Sequence, residues 1–266
     1  TAILIGPERA AVLGGFELPF GVGLVCGMAG AGLAALIVGL ATLRLREEYL
    51  AVATFGIAIS VQLVALNAAY LTGGTLGLIS LPKPFASLFD RPLTYNLFYL
   101  CLVAATAGLT YLALERIVRS PWGRTLKAIR EDETAAASLG KNPVRIRLEA
   151  FVLGSMIMGL SGGLYVGFIG YVSPFDFQPI LTFQIWTMLI LGGSANNRGA
   201  LLGAIIVWGI WTSSGYAISQ VVPPTYQAQS GALQVILIGL LLVGTLLLRP
   251  RGLIGEEEHV SRHARL

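Results

Sequence analysis

Charged residues are scarce in this chain. Lys, Arg, Asp and Glu together make up 12% of its 266 residues, whereas a soluble domain carries about one quarter. Hydrophobic residues make up 55%, so the composition argues against an ordinary soluble domain and indicates a membrane protein. The net charge of +4 comes without a basic patch interleaved with aromatic residues, and we expect no nucleic-acid partner.

Residues that carry catalysis or bind metals are also few. The chain has no G-x-x-x-x-G-K-S/T phosphate loop and no H-E-x-x-H pair, which argues against ATP binding or zinc chemistry by these devices. Its two histidines, His259 and His263, lie in a polar tail, and its two cysteines, Cys26 and Cys101, lie inside apolar runs. We therefore predict no catalytic residue, no metal site and no cofactor in this chain.

Seven long apolar runs fill most of the sequence. They cover residues 20–43, 49–71, 94–118, 148–172, 180–191, 200–218 and 232–248. Most of these runs are long enough to cross the hydrocarbon core, and a backbone in lipid must satisfy its own hydrogen bonds, so each run should be an α-helix. The sequence predicts an all-α, polytopic transmembrane helix bundle with about seven spans.

The fifth run is the shortest. Residues 180–191 would rise only about 18 Å as a helix, so a re-entrant loop that returns to its own side is an alternative. That alternative would place the basic residues of the C-terminal tail outside the cell, against the positive-inside rule. We therefore expect a crossing that irregular backbone completes at residues 192–194.

Basic residues set the expected orientation. If every run crosses, all but three of the eighteen Lys and Arg fall on one side, the exceptions being Arg9, Lys83 and Arg91. This side is assigned to the cytoplasm, which places Thr1 outside. We expect one transmembrane domain over 1–266, with three spans in 20–118, a cytoplasmic loop at 119–147, four spans in 148–248 and a polar cytoplasmic tail at 249–266. Because the chain begins with Thr and has an odd number of spans, we also expect further helices upstream.

No Asp, Glu, Lys, Arg or His lies near the middle of a span. Carriers coupled to an ion gradient usually need such a group at depth, so the pattern argues against them. We predict instead a translocation path for an uncharged solute, formed by Thr54, Gln62, Asn67, Gln184, Gly192 and Gly193. The alternative for the Ser and Thr residues at depth is a hydrogen bond back to a carbonyl of their own helix.

Small residues recur every four positions in the fourth span, at Ser155, Gly159, Gly163 and Gly167. This spacing places them on one helix face, where they permit the close approach of another helix. We predict that this face packs inside the bundle. A glycine-lined wall of a solute path is the alternative.

The cytoplasmic loop contains an amphipathic pattern. Ser120 and Pro121 mark a helix start, and Gly140 followed by Pro143 marks an end. The apolar residues that share one face are Trp122, Leu126, Ile129, Ala136 and Leu139, and the charged residues that project elsewhere are Arg124, Lys127, Arg130, Glu131, Asp132 and Glu133. We expect one helix over residues 123–140. An anionic leaflet would repel its three consecutive acidic residues, so a protein partner is favoured over a lipid surface.

The segment SPWGRTLKAIREDETAAASLG at residues 120–140 resembles the cytoplasmic loop of LivM-type permeases, which belong to ABC importers of branched-chain and neutral amino acids. Four other segments fit the same family in order: LRLREEYLAVATFG at 43–56, LTGG at 71–74, YVSP at 171–174 and LGG at 191–193. Within the family, REEY at 46–49, GGSANNRG at 192–199 and LRPRG at 248–252 are most similar to permeases of the cyanobacterial neutral amino-acid system.

The resemblance implies partners and a location. The partners are a second, LivH-like permease subunit, two cytoplasmic ATP-binding subunits that hold ATP and Mg, and a periplasmic solute-binding protein; the location is a bacterial inner membrane. It also implies that the loop carries the ATPase-docking helix. Ala135, Ala136 and Gly140 match the E-A-A-x-x-x-G docking pattern, whereas Thr134 stands where that pattern has Glu. Together with the six charged residues named above, these three form the predicted docking set.

The predicted function is therefore ATP-driven uptake of branched-chain or other neutral amino acids by alternating access. A urea or short-amide permease of the same superfamily is one alternative, and a passive channel or facilitator for small neutral solutes is another. A channel would not need a docking helix of mixed charge. A membrane-embedded enzyme would need an acid, base or metal cluster, for which the sequence offers no candidate.

Overall fold

The computed structural model describes residues 1–6, 15–193, 196–221, 223, 227–249 and 252–255. In this part of the chain the α-helices are α1 (Ala2–Ile5), α2 (Phe20–Thr42), α3 (Glu47–Asn67), α4 (Ala69–Thr72), α5 (Pro92–Arg119), α6 (Pro121–Glu131), α7 (Glu133–Ser138), α8 (Pro143–Ile169), α9 (Pro179–Gly192), α10 (Asn197–Val221) and α11 (Gln227–Leu248). The chain divides into two compact units, unit 1 (Thr1–Phe177) and unit 2 (Gln178–Leu266). Each unit is described separately below.

Six of the described helices are long and apolar enough to cross a bilayer, namely α2, α3, α5, α8, α10 and α11. Many of their large apolar side chains face outward; Val52, Leu100 and Ile205 are 73%, 63% and 68% exposed. Surfaces of this kind suit lipid or another membrane helix and would not suit water. The predicted all-α, polytopic helix bundle is confirmed.

The predicted fifth span forms α9, a helix of 14 residues that rises about 21 Å. It runs without interruption and is not among the described helices that are long enough by themselves to cross a bilayer. The irregular backbone expected at residues 192–194 includes Ser194, which lies outside the described residues. A seventh crossing therefore stays a prediction.

Local sequence explains where α8 begins and ends. Pro143 occupies its first position, where no backbone N–H is required, and the Asn142 side chain accepts a hydrogen bond from the Arg145 amide at 3.1 Å. The helix stops before Gly170, whose φ of +79° favours glycine. The predicted fourth span, residues 148–172, therefore starts and ends a few residues earlier than expected.

The glycine face of α8 packs against α2, as predicted. A Cβ atom added to Gly159 would lie 2.8 Å from both the Ala31 Cβ and the Gly27 carbonyl oxygen of α2. At Gly163 an added Cβ would collide with Leu24 of the same helix. The partners run in opposite directions along the two helices, so α2 and α8 are antiparallel and touch almost backbone to backbone.

A third helix joins this core near the end of α8. The Tyr99 hydroxyl of α5 donates a hydrogen bond to the Leu164 carbonyl of α8 at 2.7 Å. Tyr99 is only 2% exposed, and a Cβ on Gly167 would lie 2.8 Å from its hydroxyl oxygen. The small residue at 167 therefore makes room for the tyrosine that ties α5 to α8.

Two irregular segments meet at the end of unit 1 where α8 finishes, and we call residues 73–81 together with 170–176 the cap. Leu78 and Val172 exchange backbone hydrogen bonds of 2.8 and 2.9 Å, and the Leu81 amide donates to the Gly170 carbonyl at 2.9 Å. Gly77 has a φ of +69°, and any Cβ there would collide with the Val172 carbonyl. The cap is thus built on the residues that directly follow α8.

Unit 2 is organised around an antiparallel pair, α9 and α10. A Cβ on Gly199 would collide with the Gly192 carbonyl, and one on Gly203 would collide with the Met188 carbonyl and lie 2.8 Å from the Gly192 nitrogen. Glycines at these positions let the two backbones touch. A third helix joins this pair, since the Gln234 side chain of α11 donates to the Trp211 carbonyl of α10 at 3.2 Å.

The segment after α11 returns to the end of α9. The amides of Leu253 and Ile254 donate to the carbonyls of Leu191 and Gly192 at 2.8 and 3.0 Å. These bonds satisfy carbonyl groups that the last turn of a helix otherwise leaves without a partner. The end of α9, the start of α10 and the end of α11 consequently lie at one end of unit 2, which matches the predicted placement of Arg198 and Arg249 on one side.

The contact between α2 and α8 predicts a position-specific cost of substitution. Replacing Gly163 by Leu should lower the free energy of unfolding by about 1–3 kcal/mol, because the new side chain would overpack against Leu24. Gly162→Leu is the matched control, since a Cβ there has no neighbour within 4 Å. Thermal unfolding and yield in detergent would be measured for both variants. Equal loss in the two would show that the face is not packed.

Candidate functional site

The predicted docking loop, residues 119–147, forms two helices instead of one. α6 ends at Glu131, and Asp132 adopts an extended conformation with φ −151° and ψ 106°. The Asp132 carboxylate then accepts hydrogen bonds from the amides of Thr134 and Ala135, both at 2.9 Å, and so begins α7. The expected continuous helix over 123–140 is therefore divided, because an Asp can cap a new helix more readily than it extends an old one.

The start and end signals of the loop are confirmed. Ser120 caps α6 by accepting from the Gly123 amide at 3.3 Å, with Pro121 in the first position. At the other end Gly140 has φ +77°, and the Lys141 amide donates to the Ala136 carbonyl at 3.2 Å. This is the hydrogen-bond pattern that ends a helix at a left-handed glycine.

Gly123 lets α6 fold back tightly on α5. A Cβ at this position would lie 2.5 Å from the Ile117 carbonyl oxygen and would also collide with the Val118 carbonyl. No side chain fits there. The direction in which α6 leaves α5 is consequently set by a glycine as well as by the Ser-Pro pair.

The apolar face of the loop is shorter than predicted. Ile129 and Ala136 are buried, at 2% and 5% exposed, and Trp122 and Leu126 are partly buried. Leu139, however, is 82% exposed, so its assignment to this face was wrong. The break at Asp132 is the physical reason, because helical spacing cannot be continued through an extended residue.

The other members of the predicted docking set lie on the surface. Ala135, Gly140 and the six charged residues Arg124, Lys127, Arg130, Glu131, Asp132 and Glu133 are all exposed. Arg130 pairs with Glu131 at 2.9 Å, and Arg124 donates to the Arg119 carbonyl at 3.1 Å. The structure thus brings this set together on one loop, with Ala136 as its single buried member. Their role in docking stays a prediction.

Two contacts that the sequence analysis did not predict attach the helices of the loop to α8, and a third, within α8, supports the first. The Trp122 indole nitrogen donates to Glu149 Oε2 at 2.8 Å, and Arg145 Nε donates to the other oxygen, Oε1, at 2.9 Å. A second connection joins Arg147 to Glu133 at 2.6 Å. The spacing of four between Arg145 and Glu149 was a readable signal for that pair, but no sequence pattern links Trp122 with Glu149.

The predicted path residues of unit 1 fall into two groups according to the acceptors of their side-chain hydrogen bonds. Thr54 and Asn67 donate to carbonyls of their own helix, Leu50 and Leu63, each at 2.8 Å. Gln62 instead reaches the Pro174 carbonyl of the cap at 3.1 Å. The alternative of a bond back to the same helix, expected for Ser and Thr, thus holds for Thr54. Asn67 makes a bond of the same kind, and Gln62 has a partner outside its own helix.

In unit 2, two of the predicted path residues, Gly192 and Gly193, lie in close backbone contacts, and the third, Gln184, is buried. Gln184 is 6% exposed, Gly192 meets Gly199, and Gly193 lies so close to Gly252 that a Cβ on the latter would be 2.6 Å from the Gly193 Cα. An apolar groove of about 720 Å³ runs along α11; its lining includes Leu191, Leu233, Leu237, Leu240, Gly244 and Arg249. None of the path residues lines this groove. The path stays a prediction.

Among the described residues, no three of His, Cys, Asp and Glu are grouped so as to hold a metal ion. Cys26 and Cys101 are separate, exposed thiols. His259 and His263 lie outside the described residues.

Comparison with known proteins identifies a family. The family described as "Branched-chain amino acid transport system / permease component" matches residues 8–246. The chain is 31% identical over 245 residues to the high-affinity branched-chain amino acid transport permease LivM of Escherichia coli, covering 84% of this chain and 55% of that protein. It is 28% identical over 226 residues to a probable LivM of Methanocaldococcus jannaschii, covering 82% and 63%.

A second kind of permease also matches. LivH of Escherichia coli is 28% identical over 151 residues, covering 56% of this chain and 45% of LivH. The chain spans about half the length of the curated LivM proteins from Escherichia coli and Salmonella typhimurium. No solved structure matches it.

Because the Asp132 side chain begins α7, we predict that the local order of α7 depends on pH. Hydrogen bonds from the amide of Ala135 and from Thr134 lower the pKa of the Asp132 carboxyl. The stabilisation that the Asp132 carboxylate gives to α7 is therefore fully present above the ordinary pKa of Asp and is lost as the pH falls through the lowered pKa. At neutral pH, Asp132→Ala should speed hydrogen exchange in α7, whereas Asp132→Asn, which still caps, should not. Exchange measured by mass spectrometry decides this, and equal rates in the two variants would contradict it.

Proposed function

This chain belongs to the family of branched-chain amino acid transport system permease components, and on that premise we propose that it is one transmembrane subunit of an ATP-driven importer. The family is one of transporters, so the chain is not an enzyme. In the proposed assembly ATP and Mg are bound by separate cytoplasmic subunits, because this sequence carries no phosphate loop. The complex resides in the inner membrane of a bacterium.

The observation that carries this proposal is the docking loop. Leu139 projects a large apolar side chain, 82% exposed, from a loop whose other exposed residues are mainly charged or small. An isolated exposed leucine is unremarkable by itself. Here it stands beside Ala135 and Gly140, which match the docking pattern, on two short helices that are capped and fastened to α8. A passive channel would have no use for such a rigid protruding element.

The proposed partners follow from the two kinds of relative. Because the chain is similar to both LivM and LivH, we propose that it pairs with a related but distinct permease subunit. Two ATP-binding subunits would contact the docking loops of the pair. A solute-binding protein would approach from the opposite face, where unit 1 presents the cap.

The proposed solute is a branched-chain or other neutral amino acid. No ionisable residue lies near the middle of a span, and an amino acid of this kind has no net charge, so the path needs no fixed counter-charge. Urea or a short amide is the second candidate, favoured by the same neutral lining. Transport would proceed by alternating access, as ATP closes the ATPase pair and moves the docking loop.

A transport assay tests the energy source. The whole complex, purified with its subunits and reconstituted into proteoliposomes, should accumulate leucine only when ATP and the binding protein are present. Accumulation should be unchanged by a protonophore at constant ATP, because no Asp, Glu, Lys, Arg or His lies near the middle of a span to couple transport to a gradient. Collapse of uptake on adding the protonophore would contradict the proposal. Competition with unlabelled urea, and uptake of labelled urea in its place, distinguish the two solutes.

A substitution tests the docking loop directly. Leu139→Arg places a charge in the proposed contact and should reduce recovery of the ATPase subunits at least severalfold when the permease is isolated through a tag. Leu45→Arg is the matched control, because Leu45 is also an exposed leucine, at 43%, in the turn between α2 and α3 on the same predicted side. Normal recovery with Leu139→Arg, or equal loss with both, would show that Leu139 is not in the contact.

A further inference from the structure

One helix of unit 1 touches both the docking loop and the cap. α8 contains 27 residues, which corresponds to about 40 Å of rise, longer than the hydrocarbon core of about 30 Å. Its first turns contact α6 and α7, and the residues that directly follow its last turn form half of the cap. Among the described helices of unit 1, α8 alone has bonds to α6 and α7 at one end and leads directly into the cap at the other.

The connection at the docking end is made by specific polar contacts. Glu149, whose side chain is 42% exposed, uses one oxygen for the Trp122 indole at 2.8 Å and the other for Arg145 at 2.9 Å. The Arg145 bond holds the carboxylate in the position that Trp122 requires. Arg147 reaches Glu133 on the second docking helix at 2.6 Å. Both docking helices are therefore attached to the same two turns of α8.

The connection at the cap end is made by the backbone. The Gly170 carbonyl accepts a hydrogen bond from the Leu81 amide at 2.9 Å. Val172 and Leu78 each donate to the carbonyl of the other, at 2.9 and 2.8 Å. Two residues further along, the Pro174 carbonyl accepts from Gln62 of α3 at 3.1 Å. The residues that directly follow α8 are thus bonded to the other segment of the cap and, through Pro174, to α3.

Between its ends α8 is packed closely against α2. The contact is made by glycines of both helices, and side chains of the opposite helix fill the space that the glycines leave: Leu24 lies at Gly163 and Met156 lies at Gly32. Helices that interlock in this way move together as a rigid body more readily than they slide past each other.

We propose that α8 transmits the movement of the docking loop to the cap, and that Trp122 and Glu149 are the positioning residues that attach the loop to it. This inference rests on the proposed function, because it assumes that ATPase subunits move the loop. Neither residue belongs to the predicted docking set. Their loss should consequently spare ATPase binding and reduce the response of the cap.

The test measures the two ends of α8 in the complete complex. Cys26 and Cys101 are replaced by Ser, and Ile79→Cys, at a cap residue that is 52% exposed, provides a site for a maleimide reagent. Labelling rates are compared with and without a non-hydrolysable ATP analogue. In the parent protein the analogue should change the rate at which the cap is labelled.

The positioning variants remove or weaken the hydrogen bond. Trp122→Phe removes the indole donor and keeps an aromatic ring, and Glu149→Gln keeps the side-chain length but removes the charge and leaves one accepting oxygen for the two donors, Trp122 and Arg145. Each should reduce the nucleotide-induced change in labelling by about two- to tenfold, the range expected for losing one hydrogen bond. The double variant should be no worse than the stronger single one, since both act through one contact. ATPase recovery should stay at the parent level.

Two matched controls separate this effect from general damage. Trp208→Phe changes an exposed indole of α10 for which the described structure gives no hydrogen bond, and Glu48→Gln removes an exposed carboxylate in the first turn of α3. Neither should alter labelling.

A full response in both positioning variants, or loss of ATPase recovery in them, would overturn the inference. A parent that binds no ATPase subunit would instead refute the proposed function, and a parent that binds them without any cap response would refute the inference alone.

Discussion

The fold depends on one constraint, that a backbone in lipid must satisfy its hydrogen bonds inside the protein. The long helices satisfy this constraint with their own hydrogen bonds. Where a helix ends, its last backbone groups need partners from other segments. At the end of α9 the amides of Leu253 and Ile254 supply donors for its last carbonyls. At the cap, Leu78 and Val172 pair with each other, and Gln62 donates to Pro174. Irregular backbone is tolerated in both places because it finds partners within the protein.

Close packing supplies the cohesion that the hydrophobic effect cannot supply between helices in lipid. Each unit uses glycine for this purpose in a different way. In unit 1, Gly159 and Gly163 bring α8 against side chains and backbone of α2 over several turns. In unit 2, the contacts of Gly192, Gly199 and Gly203 are almost entirely between backbones, which produces a shorter and tighter junction.

Sequence patterns predicted the helices and the glycine face because both depend on local spacing. Hydrophobic runs locate spans directly, and a period of four locates a helix face. The pattern failed where a single residue had two permitted roles, as at Asp132, which could continue a helix or cap the next one. It also failed for contacts between distant segments. Nothing near Gly193 in sequence indicates that Gly252 will lie against it, and nothing near Trp122 indicates Glu149.

The attachment of the docking loop resolves a conflict between two electrostatic rules. Basic residues flank membrane helices on the cytoplasmic side, and for α5, whose C-terminus lies on the predicted cytoplasmic side, Arg116 and Arg119 also suit the helix dipole. Arg145 and Arg147 lie in the first turns of α8, at the positive end of its dipole, where cations are unfavourable. Glu149 and Glu133 offset these charges through their ion pairs. The helix dipole favours carboxylates at this end of α8. The same two carboxylates hold the docking loop in place, because Glu149 binds Trp122 and Glu133 of α7 binds Arg147.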